Sequence, residues 1–533
     1  MSAAAQAWPL EQVVWRPKVN PWLIGVTVSL AAFLEVLDTS IANVALPYIA
    51  GNLGASYDDS TWVLTSYLAA NAIVLPISGW LAEVIGRKRY FLLSLFVFTI
   101  SSLLCGLAPS LPALLLCRAI QGVGGGGLQP MAQAILNDSF PPEKRGLAFA
   151  LYGITAVLAP TIGPMLGGWI TDNYSWRWIF FIKIPVAAAA LYFTYKLVDD
   201  PPFLRRLKRG GIRVDYIGIA MLALGVGSLQ VLLDKGQEDD WFGSHFIVTL
   251  IVSAAVCLTV LVIWEWFRKE PIINVRLFKN FNFAAANLMM FMMGVMLFST
   301  LVMIPEFLQT LMGYTAELAG LVLSASGFVL LLMMPIVGRL TTKIQSRYLI
   351  AAGWGALAIG LYYSAYRTDL FISFRFAMWL RVAQVIGIGF LFVPITMAGY
   401  VGIPAEEGNS VSGIINFMRN IGSSIGTSIV TTMLVRRAQY HQQILVDHLT
   451  PDTPAFRNAL DALARAISHS GLDAHDARLQ AVARLYAQVN RQAHTLAYLD
   501  TFWVLALLSA IMFVLAFFLK KNDPTASGDI AAG

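Results

Sequence analysis

The sequence predicts an all-α, polytopic membrane protein built of two six-helix repeats with two further helices inserted between them. Three observations carry this. Of the 533 residues, 57% are hydrophobic and only 13% are charged, whereas a soluble domain carries roughly 25% charged residues. The apolar residues fall in about fourteen runs of about 20 residues or more, each long enough as helix to cross roughly 30 Å of hydrocarbon. Landmarks also recur. "RAIQGVGGGGLQP" from Arg118 answers "RVAQVIGIGFLFVP" from Arg381, "PISG" at 76–79 answers "PIVG" at 335–338, Pro142 and Gly146 answer Pro404 and Gly408, and Pro47 answers Pro305, always 258–263 residues on. A common offset in four separate places marks an internal repeat.

In chain order, residues 1–21 form a cytoplasmic segment with no short apolar core leading to a cleavage site, so it is expected to be retained. The first six-helix lobe, 22–198, has spans near 22–46, 60–83, 90–108, 112–136, 147–170 and 176–197. Residues 199–282 hold the basic linker "RRLKRGGIRVD" and two inserted spans near 215–234 and 245–267. The second lobe, 283–520, has spans near 283–311, 317–340, 348–366, 374–400, 410–434 and 500–520, followed by a cytoplasmic tail, 521–533. Arg87, Lys88, Arg89, Lys144, Arg145, Arg205, Arg206, Lys208, Arg209, Arg268, Lys269, Arg276, Lys279, Lys343, Arg347, Lys520 and Lys521 all fall on one side, and the opposite short loops are acidic, as in "YDDS" and "KGQEDDWFGS". Positive loops stay in the cytoplasm, which places both termini there. The net charge of +6 is thereby a topology signal with anionic membrane lipid as its neighbour, and it gives no reason to expect nucleic acid.

Other chemistries are disfavoured. Cys105, Cys117 and Cys257 lie inside apolar runs without paired spacing and read as small core residues. "GVGGGGLQP" follows no strand and lacks the Gly-Lys-Ser/Thr ending of a phosphate loop, so it reads as a close-packing helix surface and direct nucleotide coupling is not expected. A membrane-embedded enzyme would need a nucleophile–base or metal constellation, and the sequence has no H-E-x-x-H, no G-x-S-x-G in a strand–turn–helix setting and no compact His/Asp cluster.

Four motifs carry a family resemblance. "GWLAEVIGRKR" (79–89) resembles the loop between spans 2 and 3 of the major facilitator superfamily, and "LLLCRAIQGVGGGG" (114–127) its span-4 arginine motif. "APTIGPMLGG" (159–168) resembles the span-5 motif of its antiporters, and "LDTSIANVALP" (37–47) the span-1 motif of the fourteen-span drug:proton antiporters of the EmrB/QacA type. The resemblance implies a substrate pathway between the two lobes near the midplane, energy from the proton gradient rather than a cofactor, and export of lipophilic compounds across a bacterial inner membrane. A lipid or fatty-acid exporter of the same fold is the alternative. The chain departs from the family at Glu83, where the loop usually has Asp, and at Lys183 of "WRWIFFIKIP", where Asn is common; "GRLTTKIQSR" only weakly echoes the first gating loop.

Glu35 and Asp38 sit in the first span, one helical turn apart and so on one face. A charge near the bilayer centre costs at least roughly 2.5–3.5 kcal/mol, so such acids must be paired, hydrated or protonated. Asp38 should lie about 12 Å below the outer end of its helix and Arg118 about 9 Å below the same surface, so the two are expected to communicate. That pair is the expected proton-coupling centre, or a salt bridge that only ties spans 1 and 4 together. Glu35 is expected to assist proton binding, to favour cationic lipophilic substrates, or to pair with a polar residue such as Arg419. Gly79, Glu83, Gly86 and Arg87 are expected to form a cytoplasmic charge latch. Pro160, Gly163, Pro164, Gly167 and Gly168 suit a bent, closely packed span about which the halves rock. Tyr67, Gln121, Asn416, Phe417 and Arg419 are the expected substrate-cavity residues.

Residues 435–499 change in composition. Phe456, Leu460, Leu463 and Ile467, then Leu479, Val482, Tyr486, Val489 and Ala493, recur at helical spacing, with "SHSG" and "LDAHD" between them. Two outer amphipathic helices are expected there, to cap the transporter, lie on the membrane surface or dock a partner. The resemblance suggests that they help dock a periplasmic adaptor and, through it, an outer-membrane channel. His441, His448, His469, His475 and His494 lack metal-ligand spacing and are expected to be solvated.

Overall fold

The computed structural model describes residues 17–201, 215–268, 271–447, 449–450, 453–469 and 472–520. Among the described residues there is no strand. The first half contains α1 (Pro21–Leu53), α2 (Tyr57–Ile85), α3 (Arg87–Leu107), α4 (Leu111–Gly125), α5 (Leu128–Ser139), α6 (Pro142–Asn173), α7 (Trp178–Phe181) and α8 (Lys183–Leu197). Next come α9 (Tyr216–Lys235) and α10 (His245–Phe267). The second half contains α11 (Phe281–Glu306), α12 (Ala316–Leu340), α13 (Ser346–Arg367), α14 (Phe374–Gly389), α15 (Phe392–Gly399), α16 (Gly408–Asp447), α17 (Pro454–Ser468) and α18 (Ala474–Ala516). Residues 1–16 of the N-terminal segment, most of the basic linker and the tail from Lys521 lie outside the described residues.

Local chemistry sets the boundaries. Asn20 caps α1 by accepting from the Trp22 amide at 3.0 Å, and Pro21 opens the helix where a missing N–H costs nothing. Ser56 caps α2 through the Asp59 amide at 3.0 Å. Gly86, at φ 94°, turns the chain directly from α2 into α3, a backbone conformation that glycine adopts without a Cβ clash. The fourth span is interrupted between α4 and α5 at Gly126 and Gly127, and its equivalent in the second half between α14 and α15.

Thirteen of the helical stretches among the described residues are long and apolar enough to cross a membrane. α16 corresponds to the expected span 410–434 but is rich in Gly, Ser, Asn and Thr. Protein rather than lipid covers much of it: a Cβ at Gly422 would strike the Phe291 carbonyl, and one at Gly426 would lie 2.7 Å from Val295 Cα on α11. Its polar residues are tolerated because neighbouring helices bury them.

α9 and α10 pack together, with Ser228 donating to Ser253 at 3.0 Å, and α9 seats on the flank of the bundle. There Asp234 accepts from Thr65 of α2, and Gln230 accepts from Ser424 of α16 at 3.0 Å. The inserted pair thus touches both halves.

The outer segment differs from expectation. α17 forms as predicted, but the second amphipathic run is the first part of α18, a single helix of 43 residues that also forms the last span, about 65 Å long at 1.5 Å per residue. No breaker interrupts 474–516, so the helix simply continues out of the bundle. α17 packs on alanines of α18. Leu460 and Ile467 bury against Ala477 and Ala481, while Leu479, Val482 and Tyr486 stay exposed. His441 is not a free solvated histidine: its Nε2 lies 2.8 Å from Asp500, which Arg437 also contacts. His448 lies outside the described residues, and no group of metal-ligating side chains occurs among the described ones.

Candidate functional site

Asp38 on α1 is fully buried. Arg118 of α4 and Lys183 of α8 both form ion pairs with it, and the Gln121 amide donates to its second oxygen side at 3.0 Å. Arg118 is fixed in turn by the Val63 carbonyl at 3.0 Å, by Gln121 Oε1 at 2.8 Å and by the Tyr67 ring, 4.4 Å from its guanidinium carbon. Lys183 lies over the Phe180 and Phe98 rings at 5.1 and 5.7 Å, and Asp38 is its sole hydrogen-bond partner among the described residues. One acid thus serves two cations. Such a group is stable in a dry interior only while its charges remain paired.

One turn earlier, Glu35 accepts from Asn71 at 2.9 Å, from the Tyr67 hydroxyl at 3.2 Å and from the Gln129 amide. Gln129 Oε1 accepts from Tyr152 at 2.9 Å and from Arg419 of α16. Glu35 is therefore linked to the other half through one glutamine rather than by direct pairing with Arg419. Tyr67 joins the two sites, its hydroxyl on Glu35 and its ring under Arg118.

The two halves meet at the basic end of the bundle, where α2 turns into α3. A Cβ at Gly79 would lie 2.8 Å from Ser410 Cα, and one at Gly338 would lie 2.7 Å from the Gly146 carbonyl. Arg87 is buried there, ion-paired with Asp138 and donating to Asn409 of α16 at 2.7 Å. Asn416 donates to Gln133 at 2.8 Å, and Phe149 stacks on Tyr400 with centroids 5.9 Å apart. Glu83 sits half-buried on the last turn of α2.

α6 is continuous through Pro160 and Pro164. The glycines of the predicted motif do not face the other half: Gly163 packs on Ser40, Gly167 on Ile41 and Gly168 on Val44, all of α1. The face toward α12 is supplied by Gly146, Gly153 and Thr161. The small side chains within the predicted motif bind α1, and the interface between halves begins one face away.

Among the predicted cavity residues, Tyr67 and Gln121 belong to the Asp38 cluster and Asn416 to the Gln133–Tyr152 contacts. Arg419 reaches Gln129. Phe417 is elsewhere, packed with α2 and α9 residues such as Ile73 and Val226. Sequence reasoning missed Lys183, Gln129, Asn71, Asp138 and Asn409 as partners. Lys183 had a signal, a lysine within an apolar run; the neutral amides had none, because Asn and Gln are unremarkable in isolation. Cys105 and Cys257 are buried and Cys117 half-buried, all three as free thiols.

Comparison with known proteins gives one family. Residues 28–427 match the model of the Major Facilitator Superfamily. The chain is 38% identical over 498 residues to the multidrug export protein EmrB of Haemophilus influenzae, covering 93% of this chain and 95% of that protein. It is 37% identical to the fatty acid resistance protein FarB of Neisseria gonorrhoeae, covering 84% and 87%. In fold it is similar to the proton:xylose symporter XylE, with a TM-score of 0.60 at 14% identity, covering 95% of this chain and 97% of that one.

Proposed function

Because the chain belongs to the major facilitator superfamily, we propose that it exports lipophilic drugs or toxic compounds in exchange for protons, by alternating access. It is a multi-pass membrane protein of a transporter family rather than an enzyme family. We place it in a bacterial inner membrane with the basic end and both termini in the cytoplasm, by the positive-inside rule. No cofactor takes part in this scheme; the proton gradient supplies the energy, about 2.3 kcal/mol per proton for each 100 mV.

The carrying observation is the Asp38 cluster. An acid with no exposure, shared by Arg118 and Lys183, cannot rearrange without changing the charge state of its surroundings. A proton that neutralises the carboxylate weakens its hold on both cations, and one that leaves restores it. Glu35 extends the effect across the halves, since Gln129 holds it to Arg419. Loss of its charge would loosen that cross-link. In the arrangement described, the contacts of Gly79, Gly146, Arg87 and Asn409 close the cytoplasmic end, so opening inward requires breaking them together.

Everted vesicles test this reading. A dye panel should be pumped while a pH gradient is imposed and should leak back once it is collapsed; Asp38→Asn should abolish pumping at normal membrane abundance. Pumping that survives the substitution or ignores an uncoupler refutes the coupling role.

The exposed stripe Leu479, Val482 and Tyr486 on the protruding part of α18 suits the docking of a periplasmic adaptor. Changing all three to serine should reduce co-purification with the adaptor and leave pumping into the lumen of everted vesicles unchanged.

A further inference from the structure

Arg381 on α14 repeats Arg118 on α4. Each lies seven residues into its helix, after Phe374 and Leu111 respectively. Each donates to the glutamine three residues on, Gln384 at 3.3 Å and Gln121 at 2.8 Å. The third partner differs. On α1 it is the carboxylate of Asp38; on α11, the helix that repeats α1, it is the hydroxyl of Thr300, 2.7 Å away. The repeat has kept the cation without the acid.

Among the described residues the other two fully buried arginines have carboxylates, Arg87 with Asp138 and Arg118 with Asp38. Among the described residues none reaches Arg381, whose Nε is buried without a hydrogen-bond partner. A buried guanidinium is stable when an anion answers it, and guanidinium geometry matches a carboxylate. Arg381 also lines a cavity between the two halves, with Pro160 and Thr161 of α6 and Leu297, Phe298 and Leu301 of α11. Its volume of about 20 Å³ exceeds the roughly 10–15 Å³ that one water molecule needs. Arg118 and Lys183 share one acid, Asp38, whereas Arg381 contacts none among the described residues.

We propose that Arg381 anchors the carboxylate of lipophilic organic anions in a subsite between the two halves. The apolar residues beside it receive the start of the hydrocarbon body, and the remainder enters as the halves part. The substrate thus supplies the acid that the second repeat lacks. This rests on the export reading above and narrows its substrate class.

The test uses the full-length protein in phosphatidylethanolamine/phosphatidylglycerol nanodiscs, with 9-anthracenecarboxylate and the matched cation 9-anthracenemethylammonium as fluorescent probes. Fluorescence anisotropy, corrected with empty nanodiscs, should show the carboxylate binding at least tenfold more tightly than the ammonium. Arg381→Gln should weaken the carboxylate at least tenfold and leave the ammonium unmoved, and Arg381→Lys should retain part of the preference. Leu301→Trp, which fills the cavity beside an intact guanidinium, should also weaken the carboxylate and serves if the glutamine variant does not fold. Equal binding of both probes to the wild type, unchanged carboxylate affinity in Arg381→Gln, or parallel loss of both probes would overturn the subsite. Dye pumping driven by a pH gradient in everted vesicles carrying the same variants would still stand in those cases, so failure of the subsite is separable from failure of the export function.

Discussion

Gly79→Ala adds one methyl group at the contact between α2 and α16. Its Cβ would sit 2.8 Å from Ser410 Cα and 2.9 Å from the Ser410 amide nitrogen, where ordinary contacts run 3.4–4 Å. Both obstacles are backbone, so no rotamer change relieves them. The halves must separate there by roughly 0.6–1 Å, and overpacking of this kind costs about 1–3 kcal/mol. The cost falls only on the form whose cytoplasmic end is closed. A difference of 1.4 kcal/mol is tenfold in a population, so the ratio of closed to open should drop by about 5- to 150-fold. Gly51→Ala is the control, because its Cβ would meet nothing within 4 Å. Spin labels at Lys144→Cys and Lys343→Cys, exposed positions on the two halves at this end, placed in a chain free of its three native cysteines, report the distance. Gly79→Ala should move the distribution to longer distances and slow dye export, and Gly51→Ala should do neither. An unchanged distribution in folded Gly79→Ala would refute the view that glycine-mediated backbone contact closes this end.

The cations on Asp38 should differ in their stability effects. Arg118→Met removes an ion pair, the bonds to Val63 and Gln121 and the ring contact with Tyr67, and should destabilise by about 3–5 kcal/mol, as expected when a buried charge loses its main partner. Lys183→Met leaves Asp38 held by Arg118 and Gln121 and removes an ammonium that was costly to bury, so its melting temperature should stay well above that of Arg118→Met; the reverse order in a thermal unfolding series would show that Lys183 is the principal partner. Gln129→Ala cuts the link from Glu35 to Arg419 and should lower the pumping rate with less effect on substrate affinity; a pure affinity loss would place Gln129 in the binding pocket instead. Leu460→Ala empties the α17–α18 cluster and should speed hydrogen exchange in 454–468 while dye export by everted vesicles is retained; exchange unchanged at those amides would show that the cluster does not hold α17 in place.

What the sequence made legible was whatever depends on distance along one helix. Asp38 and Arg118 sit at matching depths on two spans, and the two side chains meet. Spacing along a single strip also marked α17, whose apolar positions 456, 460, 463 and 467 all enter one cluster. What depends on rotation about a helix was hidden. The α18 stripe 479, 482 and 486 has the same periodicity as a buried face, yet the alanines on the opposite side bury because their small side chains let α17 approach. Gly163, Gly167 and Gly168 of α6 pointed to close packing without saying against what, and α1 proved to be the neighbour. Phe417, adjacent in sequence to Asn416, is turned about 100° away from it by the helix, and so packs with the inserted pair while Asn416 faces the other half. Polar partners were hidden for another reason. A buried charge announces itself by its cost, but the neutral amide that satisfies it costs little wherever it stands. Gln129 and Asn71 are visible only after folding brings them to Glu35. The same asymmetry makes Arg381 informative: its charge is evident from the repeat, and only the folded chain shows that no acid among the described residues answers it.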